Sequence, residues 1–444
     1  MIQALDTMEK LMQYIWHHRL WNSPHMMTVD GRRLLVIDPG KLNTDAGPDF
    51  FNAKIKIDGE LWIGNVEIHV RASDWFRHHH DDDPAYDSVI LHVVEKDDAE
   101  VKRLSTKETI PQVRMVCSKE FVHHYSDMVG RADLELPCTM ELSGLSPIYI
   151  ADWITALLYE RLGMKSERVE GILNLTANNW ESACYVTLAR ALGTGVNGDS
   201  FERLAMSLPL RFIRKHSDSL LSIESLLFGQ AGLLKEENFE NPYYTTLKRE
   251  YEFLSNKFGL QTPESLNWKM ARMRPASFPH RRIAILASYL HGGFMMMSRI
   301  LKIENVEEAM SIFNVELSGF WSNHYNFKSG DSNASNRLSD WTINSLVINV
   351  VVPVLYSYGL YHPSSSEGEA YIEKAIDLLE SMRVEKNHIT TLFSKAGILS
   401  KNAFTSQALI QLRRNYCEMR KCLFCRFGHR FLAAKATRNQ RFSL

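Results

Sequence analysis

GPDFFNAKIKIDGELWIGNVEIHV, residues 47–70, is the stretch on which the N-terminal part of this chain turns. Phe50 to Ile57 alternates apolar and polar residues at the two-residue period of a half-exposed strand. Asp58-Gly59 is a hairpin turn dipeptide, and Leu61 to Val70 is the return strand. Asp49 opens the first strand just after Gly47-Pro48, and Glu67-Ile68-His69 lies in the second. Alternation sends Glu67 and His69 to one face beside Asn65, and Val66, Ile68 and Val70 to the other, towards a core. A regular register about the turn pairs position 49 near position 68, which brings Asp49 within reach of Glu67 or His69; a slip of one residue would reverse the facing. Two carboxylates at a sheet edge suit a hard cation, and a base one pleat away touches the same reaction centre. That is the minimum for metal-assisted phosphodiester hydrolysis. The competing reading is a solvated hairpin face, with Asp49 capping a turn after Pro48.

Working outward, residues 1–20 place Leu5, Met8, Leu11, Met12, Ile15 and Trp16 on one helical face. Arg33 to Asp38 reads as a strand closed by Pro39-Gly40, and Ser73 as the cap of a short helix through Asp74-Trp75-Phe76. SVILHVVE, residues 88–95, reads as a central strand, and Pro111 to Val116 as one more. The expected order is α-β-β-β-α-β. After about residue 145 amphipathic helices replace strands, from Ile148–Leu162 to Thr405–Tyr416, without a fixed repeat. The fold class is therefore α+β, with an α/β domain over 1–140 and a helical domain over 145–444. Ser329 to Ser339 reads as a polar loop, and LGTGVNGDS, 192–200, as an interhelical turn capped by Asp199 or Ser200.

The chain has 444 residues, 45% hydrophobic and 23% charged, with a formal net charge of −1, so bulk charge gives no reason to expect nucleic acid. Nine Lys and Arg against Glu418 alone between Gln411 and Leu444 make a basic tail that either contacts phosphate or is simply solvated. The longest apolar candidate, Ile343 to Tyr358, is interrupted by Asn344, Asn349 and Pro353, so no membrane span is expected. The N-terminus lacks a signal-peptide pattern, and a cytoplasmic protein follows. Oligomeric state is not legible.

Pro48-Asp49 followed by Glu67-x-His69, in that element order, resembles the PD-(D/E)xK nuclease superfamily. The resemblance implies a restriction-endonuclease-like core in which Asp49 and Glu67 hold Mg²⁺ or Mn²⁺, the Ile68 carbonyl is a further ligand, and Glu9 on the first helix helps. His69 stands where that superfamily usually carries lysine. Histidine is mostly neutral near pH 7 and binds metal itself, which favours Mn²⁺ or another transition metal, or else marks a degenerate site. Across its full length the chain also resembles an uncharacterised bacterial family of unknown function, through the 47–75 stretch, RMRPASFPHRR and the C-terminal cysteines.

WFRHHHDDD, 75–83, places His78, His80 and Asp81 where they either brace the metal ligands, bind a second metal, or form a surface loop. His92 reads as a hydrogen-bonded core histidine. Cys417, Cys422, Cys425 and His429 have the spacing Cys-x4-Cys-x2-Cys-x3-His, which suits tetrahedral Zn²⁺, with an iron–sulfur cluster or buried thiols on one helical face as rivals. Neighbouring Arg and Lys are expected to favour thiolates. Cys117, Cys138 and Cys184 read as inert thiols. Arg272 and Arg274, in the 268–282 segment, are candidates for gripping phosphate, unless the arginines of that loop pair with acids.

The leading expectation is a metal-dependent phosphodiesterase acting on DNA or RNA, with Asp49 and Glu67 on the cation and His69 orienting or deprotonating water. The alternatives are a non-catalytic nucleic-acid or protein-binding module, and a small-molecule metallohydrolase.

Overall fold

The computed structural model describes residues 2–439 except 22–25, 44, 118, 131–134, 238, 264–265, 329–334 and 363–365. It divides into two compact units, Met1–Ser146 with Leu412–Leu444, and Pro147–Gln411. The fold class is α+β: the first unit carries a mixed sheet, and the second is built of helices among the described residues. The division differs from the expected one in the C-terminal segment, which belongs to the first unit. Leu423 and Leu432 are buried in the same core as Leu11, Ile15, Ile68 and Phe121. Helical periodicity shows that such a face is apolar; it does not show which body the face packs against.

The strands are β1 (Met26–Met27), β2 (Arg33–Asp38), β3 (Lys41–Leu42), β4 (Phe50–Ile57), β5 (Glu60–Arg71), β6 (Val89–Lys96) and β7 (Gln112–Arg114). They lie in the order β1-β2-β4-β5-β6-β7, with β3 on β4. Helix α1 (Ile2–His17) packs on β5, and the crossover from β5 to parallel β6 carries the short α2 (Asp74–Arg77) and a 3₁₀ turn at Pro84–Tyr86. The expected α-β-β-β-α-β order is thus present as α1, β2, β4, β5, α2 and β6. Ser73 stands at the N-cap position of α2, but its side chain makes no capping hydrogen bond. Its N–H and hydroxyl donate to Asp98 at 2.8 and 2.9 Å.

Two features of the central strands set up the site. Ala53 pairs with Gly64 but Phe50 pairs with Val66, so β4 holds one extra residue there. Asn52 takes φ +55° at this bulge and donates its N–H to Asn65 Oδ1 at 3.1 Å, a left-handed conformation that Asn tolerates. The expected register is thereby shifted by one, and Asp49 meets Glu67 rather than Ile68 across the ladder. Gly64 permits the second feature, close approach of β6: a Cβ there would lie 2.4 Å from Ile90 Cγ2 and 2.8 Å from the Ser88 carbonyl.

In the second unit the expected helices are present with altered bounds. The first runs from Pro147 to Leu175, well past Leu162. Asp199 and Ser200 lie inside a helix that starts at Thr194, not at its cap. Of the polar loop expected at 329–339, residues 329–334 lie outside the described residues. Asp340–Tyr361 is long and apolar enough to cross a membrane, and most of it is buried inside the unit. Asn349 and Pro353 do not interrupt it. A π-turn over Val347–Val351 absorbs the missing proline N–H, and the Asn349 amide donates to the Ser345 carbonyl at 2.8 Å while accepting from Lys165 Nζ at 3.1 Å.

Glu224 in this unit is buried, and that burial pushes its carboxyl up to about 7, although the Tyr243 hydroxyl donates to it. A carboxyl raised above its unfolded value adds stability that is whole below pH about 4.5 and is lost as pH rises through about 7. We expect Glu224 to contribute about 3 kcal/mol to the fall of wild-type stability across that window, and Glu224→Gln, which keeps an acceptor for Tyr243, to fall by that much less. Urea unfolding at pH 4.5, 6 and 8 measures it; an equal slope in both proteins refutes it.

Candidate metal centre

β5 runs on past the end of β4, so its residues beyond Val66 have no antiparallel partner. Side chains take over. Asp49 Oδ2 accepts the Ile68 N–H at 3.0 Å, and Asp49 donates its own N–H to Glu67 Oε2 at 3.0 Å. Gln13 of α1 donates to Asp49 Oδ1 at 2.8 Å, and Glu9, one turn earlier on the same helix, is close enough for its charge to act on Glu67. Helix, bulge and unpaired strand end thus bring together three acids far apart in sequence.

The other oxygen of Glu67 faces imidazoles. Glu67 Oε1 lies 3.4 Å from His69 Nε2 and 3.3 Å from His80 Nε2. His78 Nδ1 is 3.2 Å from His69 Nε2. Behind them His69 Nδ1 meets His92 Nε2 at 2.9 Å, and the Gln112 amide meets His92 Nδ1 at 3.3 Å while donating to the Ala99 carbonyl at 3.2 Å. With the Gln112 amide donating to both, His92 gives its proton to His69, and His69 carries its own on Nε2, towards Glu67. His92 is fully buried and hydrogen-bonded, as a core histidine should be. Among the described residues His69, His78 and His80 are the one group of three or more ligand side chains drawn close enough to hold an ion.

The solvated-face reading fails here, because Glu67 is 4% and His69 1% exposed. The β5–β6 crossover covers them. Trp75 packs its ring against His80 and His92 at 5.5 and 5.3 Å, and Tyr86 stacks on His80 at 3.7 Å. Burial, reinforced by the charge of Glu67, pushes the Asp49 carboxyl up to about 8, against the hydrogen bonds from Ile68 and Gln13. Burial pushes Glu67 up to about 8 as well. It drives His69 well below the usual imidazole range and His80 and His92 to about 4 and 3. Neutral imidazoles beside crowded acids form a donor set that a divalent cation would stabilise, and the nitrogen-rich set suits a transition metal better than Mg²⁺.

His78 and His80 therefore stand beside Glu67 and His69 rather than behind them. Asp81 lies where its charge acts on His80, and its Oδ1 is buried with no hydrogen-bond partner. Gln13 was missed, although it sits four residues after Glu9, the helical spacing that puts both on one face. Arg272 and Arg274 are exposed in the second unit, whereas Arg281 and Arg282 of the same segment are buried.

The cysteine run differs from expectation. His429 gives one ring nitrogen to Tyr14, with Nδ1 2.8 Å from the hydroxyl, and packs on His18 at 4.2 Å. Cys425, Cys138 and Cys422 are near enough to Cys417 to raise its thiol, so Cys138 is not a scattered thiol. Burial raises Cys417 in spite of Arg413 and pushes Cys422 up to about 11 in spite of Arg420, so the nearby cations do not produce thiolates. The four are not drawn to ligand distance of one another.

Fold and site together define an α+β protein with a buried carboxylate–imidazole cluster at the open end of a sheet strand. The chain belongs to the DUF2851 family, described as protein of unknown function, whose model matches residues 9–388. The cysteines at 417–425 lie beyond the matched stretch. No curated protein and no solved structure matches the chain.

Proposed function

We propose that the first unit is a metal-dependent phosphodiesterase, nuclease-like, whose cation is held by Glu67, His69, His78 and His80. The observation that carries this is the convergence of His69 and His80 on one oxygen of Glu67, 3.4 and 3.3 Å away, with His78 against His69. A divalent transition metal held there would supply Lewis acidity and a lowered water pKa. Asp49 acts as a positioning residue, since both its oxygens are engaged by Gln13 and Ile68 while its N–H orients Glu67. His92 orients His69, which would hold a cation through Nε2 in the tautomer with its proton on Nδ1, towards His92; uptake would weaken with acid because the buried Glu67 carboxyl has to ionise. Arg77, half-exposed and 3.1 Å from Asp74, supplies positive charge at the rim for a phosphate ester. Reduced thiols throughout support a cytoplasmic protein, and nucleic acid is the proposed partner.

The cover of Trp75, His80 and Tyr86 favours a second reading, a binding module without turnover. Purified protein with Mn²⁺ or Mg²⁺, labelled single- and double-stranded DNA and RNA, and a small chromogenic phosphodiester separates the readings. Nucleic-acid cleavage that Glu67→Gln loses supports the proposal. Cleavage of the small ester alone points to a small-molecule metallohydrolase, and no cleavage by folded, metal-loaded protein points to the binding module.

A zinc ion in the C-terminal run is a separate proposal. Cys138, Cys417, Cys422 and Cys425 would have to close around it, with Cys138 taking the place first given to His429. We expect Cys138→Ser to lose bound zinc and His429→Ala to keep it, read by metal analysis after EDTA-free purification. The reverse pattern, or no zinc in wild type, defeats this.

A further inference from the structure

Arg281 and Arg282 follow one another in the helix Pro279–Leu290 of the second unit, and both are buried. Adjacent buried guanidinium groups repel, and each must be neutralised or hydrogen-bonded. Arg281 is well served. Its guanidinium donates to the backbone carbonyls of Trp321, Ser335 and His324, the last at 2.9 Å, and lies 5.3 Å over the Tyr325 ring.

Arg282 is not. It is 4% exposed, and its Nε and Nη1 have no hydrogen-bond partner. No carboxylate among the described residues acts on either arginine; the groups that do are Tyr289 and Tyr325, and Arg281 acts on Arg282. Arg282 lines a cavity of about 190 Å³ shared with Arg281, Arg337, Ser339 and Thr342. That is well above the roughly 10–15 Å³ that one water needs by the same measure, room for a tetrahedral oxyanion. The other arginine, Arg337, is mostly exposed and pairs with Glu316. The Ser339 and Thr342 hydroxyls are hydrogen-bonded at 3.1 Å, and the one that accepts there keeps its proton for a ligand in the cavity.

We propose that this cavity binds a phosphate group, with the Arg282 guanidinium as its principal contact. A buried cation without a counter-charge is costly, and an oxyanion in the cavity that Arg282 lines supplies that charge. The guanidinium fork matches two phosphate oxygens at once, which a lysine could not do. The site stands in the second unit and does not depend on the metal-centre reading.

The test is thermal unfolding of the full chain, treated with EDTA and desalted, in phosphate-free buffer. Inorganic phosphate is titrated against sodium chloride at equal ionic strength, with acetate and a nucleoside monophosphate as further arms. Wild type should gain about 5 °C at a hundredfold excess over Kd, and chloride should not reproduce it. Arg282→Met should lose that gain, yet unfold at or above the wild-type temperature without phosphate, because a lone buried charge has gone. A larger gain with the nucleotide than with inorganic phosphate assigns the site to a phosphate ester, and the reverse to free phosphate. The proposal is overturned if phosphate acts no better than chloride, if Arg282→Met responds like wild type, or if that variant is markedly less stable without phosphate, since a protein group would then already neutralise Arg282. Should Arg282→Met not fold, phosphorus NMR of phosphate binding to wild type and to Arg282→Lys decides: a tight site in the first, at least tenfold weaker in the second, upholds it, and no binding by wild type refutes it.

Discussion

On the proposed function, Glu67→Gln is expected to lower metal-dependent turnover by at least about a thousandfold while leaving the protein folded. Among the described residues, Glu67 joins both halves of the cluster. Its Oε2 accepts from the Asp49 backbone, and its Oε1 faces His69 and His80. An amide of the same shape keeps an acceptor for Asp49 but brings no charge to a cation. It also relieves the crowding of Glu67 against Asp49 and Glu9. Metal content should therefore fall in the variant while its unfolding temperature without metal stays at or above that of wild type. Both are read from one preparation, by elemental analysis and calorimetry. A Glu67→Gln protein that also carries Cys138→Ser and still holds stoichiometric metal would place the ion elsewhere and end the present assignment.

Trp75→Ala is expected to cost about 3–5 kcal/mol of stability, the usual range for deleting a buried indole. Trp75 is fully buried between His80, His92 and Tyr86 in a small cluster of its own with Val89, Val101 and Ile110. It is also the wall against which His80 rests, so the variant should lose metal affinity by roughly tenfold or more. Trp75→Phe separates packing from polar contact. The indole N–H is buried and has no hydrogen-bond partner, so replacing it costs only lost volume, about 1 kcal/mol, with metal affinity nearly kept. Urea unfolding and metal titration of the two variants give the comparison. Equal losses in both would mean that the N–H, not the ring, is what matters.

Local pattern determined a good part of this molecule. The two-residue alternation of 50–57 and 61–70 about Asp58-Gly59 defined the hairpin, because strand sidedness and turn chemistry are short-range. The helical stripe of residues 1–20 and the change of texture after 145 defined the α+β class on the same footing. The pairing of Asp49 with Glu67 was also within reach, since a hairpin carries its own register to within the one residue that the Asn52 bulge adds.

Tertiary structure decided the rest, and each case is one of burial or of partners distant in sequence. Glu67 and His69 look like the polar face of a hairpin until the β5–β6 crossover folds over them, and only that cover turns acids and imidazoles into a desolvated cluster. Gln13 reaches Asp49 because α1 packs across the open strand end. Cys138 nears Cys417 from 279 residues away in sequence, because Leu423 and Leu432 find their apolar partners in the first unit rather than the second. Arg282 reads as one more basic residue beside Arg281, and only the packed helix leaves one guanidinium bonded to carbonyls and its neighbour with bare donors. A residue's type and spacing state what it could do. The free energy of removing it from water, which depends on every element packed around it, selects what it does.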